Sequence, residues 1–469
     1  MNISLGLDAM IESMGMQEEK IKLYSVNDNA SNMRVAIMES KYLEELNCAI
    51  HTISLAVTDT FKSVQGMKKV LKKAKKLAKY SHSEGPMRQL KGAVEGAGLK
   101  FLKPKTPGET RWSSHLDCFG SLRPYKEIFE NLSAENREWE KRNLSKQQWK
   151  LLEGAVANLE PFKDTIKAWE GEKEPTLDRV IERVYINHTI LDSFISDPRN
   201  QKEKCGLMFA RKLKENLENR FPAKGTDCMI YGKANYLSPQ FKGIHLMAED
   251  KLEEVKSAME EEWKQRQAEV EVSAESVHET VCPLSPTSQL RKKLGTRTEY
   301  RKHKKISPIR KEMERYENFS AAAKTMSVLG WWKMMANALP ILSEFARSVL
   351  AIPASSAKSE RVFSRGSNIV TIKRTRLNPK KVEEILVIGE NKKKVAAFMK
   401  KTTYDVKKTE KNIFAEIDIK RILRKHEEEE MESEEESDDG AEAFESEEEE
   451  AMSGEEYDSD NLTDDDVDA

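Results

Sequence analysis

The chain has 469 residues, 38% hydrophobic and 34% charged, enough for two or three packed domains but polar for a globular protein. The formal net charge of −2 hides an asymmetry: residues 427–469 hold 24 Asp or Glu and no Lys or Arg, leaving 56 acidic residues against all 78 basic ones in 1–426, a net of +22. Five scattered cysteines without a Cys-x-x-Cys pair, no apolar run near the roughly 20 residues of a membrane span, and no basic-then-apolar start exclude a disulfide framework, a zinc finger, a membrane helix and a secretory signal, and point to a reducing compartment.

In chain order, Leu5–Met14 reads as a helix and Ile21–Val26 as a short strand ending in Asn27-Asp28-Asn29. Met33–Glu39 reads as a helix. Ile53–Lys79 reads as one long amphipathic helix: Val57, Phe61, Val64, Met67, Leu71, Ala74 and Leu77 advance by three or four. Its other face carries Lys68, Lys69, Lys72, Lys73, Lys75, Lys76 and Lys79, a pattern that fits either a solvated face or contact with a phosphate backbone. Gly92–Pro107 reads as a loop with an extended piece at Leu99–Leu102. Trp112–Leu132, Lys146–Ala168, Leu177–Ile195, Cys205–Arg220 and Met247–Val270 read as helices. Val272–Leu290 has no period and reads as a linker. Arg291–Lys311, with ten Lys or Arg in 21 residues, reads as irregular, either a charged linker or a nuclear-localisation or DNA-binding segment.

The last apolar region runs from Met326 to Ile388. Trp331-Trp332 offers large apolar area. Pro340 suits a first helical turn, after which Leu342, Phe345, Ala346 and Val349 share a face. Pro353 stops that helix, and Ser355 or Ser356 caps another that carries Val362 and Phe363 inward and ends near Gly366. Asn378-Pro379 opens a helix with Val382, Ile385 and Leu386 on one face. Residues 396–426 read as a basic helix and 427–469 as a disordered, solvated acidic tail. On the residues alone this is a helical bundle. Glu360 is then a surface partner of Arg361 or Lys358, Asp28 an Asx turn at a strand end, and Trp112 a core residue.

The string IPASSAKSERVFS, followed by Arg374-Thr375-Arg376-Leu377-Asn378-Pro379, Val382-Glu383-Glu384-Ile385-Leu386 and Asn391, resembles the C-terminal dimerisation signature of hAT-superfamily DNA transposases. Gly330-Trp331-Trp332-Lys333 and Leu339-Pro340 fit the same pattern. Upstream, Val26 to Met33 resembles the family's second catalytic-aspartate motif, Cys48-Ala49-Ile50-His51 its Cys-x-x-His motif and Thr110-Arg111-Trp112-Ser113-Ser114 its Arg-Trp motif. Leu237-Ser238-Pro239-Gln240-Phe241-Lys242 is similar to a Leu-Asp-Pro-Arg-aromatic-Lys segment, with Ser and Gln at the polar positions. The flavour is that of the BED-finger group, and the resemblance spans about residues 1–394.

The resemblance implies an α+β fold: an incomplete ribonuclease-H-like core over residues 1–112, interrupted by an all-α insertion at 113–271 and a basic linker at 272–325. A helical dimerisation module at 326–395 completes that core. It also implies two-metal phosphodiester chemistry with Mg²⁺ or Mn²⁺ on an Asp-Asp-Glu triad, of which Asp28 and Glu360 match the second and third members. The sole aspartate before Asp28 is Asp8, in the helix-like Leu5–Met14, and it is not assigned. The chain thus reads as N-terminally truncated, without a BED finger or the first aspartate. The expectation is a catalytically inactive nuclear protein that dimerises and binds DNA, with no membrane and no small-molecule substrate. An active transposase fragment and a dimerising interaction protein without DNA binding are the alternatives. Expected roles are DNA contact or core support for Arg111, Trp112, Lys72, Lys76 and Arg361, and packing beside the core for Cys48 and His51. Dimerisation is expected of Trp331, Trp332, Leu342, Phe345, Val349, Phe363, Ile385 and Leu386.

Overall fold

A computed structural model describes residues 3–16, 23–28, 30–108, 112–171, 173–244, 246–275, 306–323, 325–370 and 378–392. The stretch expected as a basic helix at 396–426, the acidic tail, Arg111 and most of the basic stretch lie outside the described residues. The chain divides into one unit up to Arg365 and a second from Gly366.

The first unit begins with α1 (Ile3–Ser13), β1 (Leu23–Asn27), α2 (Ser31–Glu39) and β2 (Leu43–Asn47). Among the described residues β1 and β2 are the only strands, paired in parallel from Leu23 opposite Leu43 to Asn27 opposite Asn47. A parallel pair needs a crossover, and α2 supplies it. Asp8, on the buried face of α1, accepts hydrogen bonds from Ser40 Oγ and the Lys41 N–H, so it anchors the turn into β2.

The long helix expected over Ile53–Lys79 is two helices, α3 (Ala49–Ser63) and α4 (Met67–Tyr80). The period continues across the break, but Gly66 lies at φ +79°, a left-handed conformation that ends the run and that glycine adopts without strain. The stretch expected as a loop from Gly92 is helical through Gly96, in α5 (Glu84–Gly96).

The helical middle consists of α6 (Trp112–Leu122), α7 (Lys126–Glu135), α8 (Arg137–Arg142), α9 (Lys146–Leu159), α10 (Phe162–Trp169), α11 (Arg179–Ser196), α12 (Lys204–Arg220), α13 (Met229–Tyr236) and α14 (Glu249–Glu275). Its centre is the crossing of α12 over α3 and α9. A Cβ on Gly154 would lie 2.7 Å from the Gly206 Cα, so α9 and α12 meet backbone to backbone, and only glycine fits. Buried tryptophans satisfy their N–H groups as they must: Trp139 donates to Gln89 (2.8 Å) and Trp149 to Asn143 (3.2 Å).

The segment expected as irregular linker becomes helical at α15 (Pro308–Asn318), where Ser307 caps the helix and Pro308 takes the first position. Tyr316 stacks with Trp332 at 5.4 Å in an aromatic cluster that includes Tyr236 and Trp331. α16 (Val328–Met335) and α17 (Pro340–Val349) follow, and Pro340 occupies the first turn as expected. Buried Glu312 accepts the Leu342 N–H at 3.0 Å and so caps α17. α18 (Ala357–Ile369) runs on past Gly366 and into the second unit. Phe363 does not point inward; it is 75% exposed. α18 buries Ile369 along its length, and Phe363, six residues earlier, falls on another side of a helix with 3.6 residues per turn.

In the second unit α19 (Pro379–Glu390) starts as expected, with the Asn378 side chain accepting the Lys380 N–H and Pro379 at the first position. Val382, Ile385 and Leu386 are half-buried. No described helix is long and apolar enough to cross a membrane.

Candidate functional site

Asp28 follows the last residue of β1, is exposed, and accepts the Ala30 N–H at 3.2 Å, an Asx turn at the strand end. Glu360 lies in the first turn of α18, exposed, where a carboxylate favours the helix dipole. Its Oε1 accepts from Ser356 Oγ at 2.8 Å.

The two carboxylates are 332 residues apart in sequence, but Cys48 connects their elements. The Cys48 N–H donates to the Asn27 carbonyl at 2.8 Å, at the end of β1. Its Sγ accepts the Ser356 N–H at 3.4 Å, just before α18, and the His51 N–H at 3.5 Å, capping α3. A second rung runs from the Ala49 N–H to the Ala354 carbonyl, 2.9 Å. On the other side the same segment is tied to the helical middle. Thr176 Oγ1 accepts the Ala354 N–H at 2.9 Å, and Ser355 Oγ donates to the Trp169 carbonyl at 3.0 Å. Arg361 donates to the Glu170 carbonyl at 3.4 Å. Tyr231 donates to the Asn47 carbonyl at 3.2 Å, and its phenol titrates far above the usual range because it is buried.

Sequence spacing did not point to Thr176, Trp169 or Tyr231, and it pointed to Ser355 only as a helix cap. The motif Leu237–Lys242 was the available signal, and it is a clamp. Ser238 Oγ donates to Asp178 at 2.7 Å, the Gln240 amide to the Met326 carbonyl at 2.9 Å, and Lys242 to the Phe319 carbonyl. Burial pushes the Asp178 carboxyl up to about 6 against the opposing Ser238 bond and the Arg179 charge. Phe241 and Lys242 also line a cleft of about 290 Å³ with Tyr236, Met247 and Tyr316.

The junction does not gather every expected residue. Trp112 is buried core, 6% exposed. Trp331, Trp332, Leu342, Phe345 and Val349 are also buried within this chain. Lys72 and Lys76 are exposed on α4, which packs on α3, α6, α8 and α9. Lys73 is used internally, donating to the Asn143 carbonyl at 3.1 Å. Among the described residues no three His, Cys, Asp or Glu side chains are grouped so as to hold a metal ion.

Residues 307–391 match the profile of the hAT family C-terminal dimerisation region. The chain is 23% identical over 392 residues to "Zinc finger BED domain-containing protein 4" of Homo sapiens, covering 82% of this chain and 32% of that protein. It is 23% identical over 405 residues to "Zinc finger BED domain-containing protein RICESLEEPER 2" of Oryza sativa subsp. japonica, covering 78% and 53%. Over 77 residues, 16% of this chain and 9% of the relative, it is 40% identical to "Putative AC transposase" of Zea mays. The resemblance to hAT transposases is borne out, and the chain spans about a third to a half of the first two relatives.

Proposed function

We propose that this chain, which carries the hAT family C-terminal dimerisation region, is a nuclear protein that self-associates through that region and binds the DNA backbone without cutting it. The observation that carries the DNA reading is α4. Met67, Val70, Ala74, Leu77 and Ala78 are buried, while Lys68, Lys69, Lys72 and Lys76 stand exposed in a row. Eight residues of helix put Lys68 and Lys76 about 12 Å apart along its axis, a span that covers several phosphates of a duplex. The buried Trp331, Trp332, Leu342, Phe345 and Val349 then serve self-association by shaping the module, and Phe363 supplies exposed apolar area.

Anisotropy titration of a random-sequence duplex over a salt series tests this. Four lysine–phosphate contacts give a slope of log affinity on log salt of about −3.6, and Lys72→Glu with Lys76→Glu lowers its magnitude by about 2. Salt-independent or undetectable binding favours the third reading, an interaction protein alone.

The second reading, a fragment of a metal-dependent transposase built on a ribonuclease-H-like core, is supported by the parallel β1–α2–β2 crossover and by Cys48 joining the elements of Asp28 and Glu360. Both carboxylates are exposed, and their oxygens suit Mg²⁺ or Mn²⁺. The ion would supply Lewis-acid activation of a phosphodiester. Cleavage of terminal-repeat DNA that vanishes on Glu360→Gln would overturn the inactive reading.

A further inference from the structure

Among the described residues, Cys48 hydrogen-bonds both to the strand end that precedes Asp28 and to the residue that leads into the Glu360 helix. Its backbone holds Asn27, and its sulfur, 1% exposed with its residue, holds Ser356. Ser356 in turn grips Glu360 twice: its carbonyl accepts the Glu360 N–H at 3.0 Å, and its hydroxyl donates to the carboxylate. A shift of Ser356 therefore moves Glu360. We propose that Cys48 is a positioning residue, whose sulfur sets the start of α18, and with it the Glu360 carboxylate, against the end of β1 that carries Asp28. The proposal rests on the reading that Asp28 and Glu360 face one cation.

Sulfur suits the position for a physical reason. One side-chain atom reaches two backbone donors from different segments, at 3.4 and 3.5 Å. A hydroxyl oxygen hydrogen-bonds N–H donors at about 2.7–3.2 Å, so serine holds both only if the junction closes by a few tenths of an ångström. Valine fills a similar volume and accepts nothing.

Hydrogen–deuterium exchange on the full chain decides the point. Cys48→Val and Cys48→Ala speed exchange at residues 354–360 about fivefold, the loss of one hydrogen bond, and leave α9 unchanged. Cys48→Ser restores exchange to within about twofold of wild type. Unchanged exchange at 354–360, or an equal rise in α9 and α12, overturns the proposal and makes Cys48 a packing residue. Mn²⁺ titration followed by electron paramagnetic resonance then tests the shared-cation reading separately. Asp28→Asn and Glu360→Gln each weaken binding about tenfold, and Cys48→Val about fivefold with partial rescue by Cys48→Ser. If neither carboxylate variant changes Mn²⁺ affinity the shared cation fails, while the exchange result still judges Cys48.

Discussion

α3 belongs to two very different regions. Along its length it packs under α12, where Phe61 and Phe209 lie 6.2 Å apart and Gly154 meets Gly206 across α9. At its start, beside Cys48, it meets the buried Asn27 and Ala354 and the half-buried Ser356 through a few hydrogen bonds. The crossing is held by close-packed apolar area, which is insensitive to pH and costly to disturb. The junction is held by polar contacts worth about 1 kcal/mol each, weak enough to adjust and directional enough to place a carboxylate.

The largest test of that contrast is Phe209→Ala, at a fully buried ring. It costs about 3–5 kcal/mol by cavity formation, read as a lower denaturant midpoint at unchanged slope. Gly154→Ala costs about 1–3 kcal/mol by overpacking against the Gly206 backbone. A neutral outcome there would show that the crossing relaxes, erasing the distinction.

Asp178 tests whether pH reaches the junction, since its neighbour Thr176 holds Ala354. Its folded pKa of about 6 lies above the ordinary 3.8. The folded state then binds the proton more tightly, and this contribution to stability is full below about pH 4 and lost as pH rises to about 6. Asp178→Asn is therefore expected to flatten the fall in stability between pH 5 and 7.5 by roughly 1.4 kcal/mol. A wild-type midpoint that rises over that interval as much as the variant's would sink this account. Smallest in global terms, Cys48→Ala shifts stability by about 1 kcal/mol, and its effect appears in local exchange.

Helix content was legible because apolar residues repeat every three or four positions, and helix starts such as Pro340 and Asn378-Pro379 are local, whereas the Ser307-Pro308 start, inside a basic run without an apolar period, was read as irregular. The break at Gly66 was not, because the apolar period runs through it and only the left-handed backbone reveals it. Phe363 misled for the opposite reason: apolar character does not say which side of a helix meets a neighbour. In the site, the motifs located Asp28, Cys48 and Glu360 individually. Trp169 and Thr176 carry no signal, and Ser355, though inside the IPASSAKSERVFS motif, gave no hint of its bond to the Trp169 carbonyl, since a serine, threonine or carbonyl becomes a junction only through what folds against it.

The amino-acid sequence alone therefore determined most of the helix content, the lysine row, the charge asymmetry and the dimerisation signature, because each is written in residue type and near-neighbour spacing. Tertiary structure decided which of these meet. The glycine contact of α9 with α12 and the splice from Asn27 through Cys48 to Ser356 join residues 52 and 329 positions apart. Such pairings depend on backbone separations of a few tenths of an ångström, which no spacing along the chain encodes.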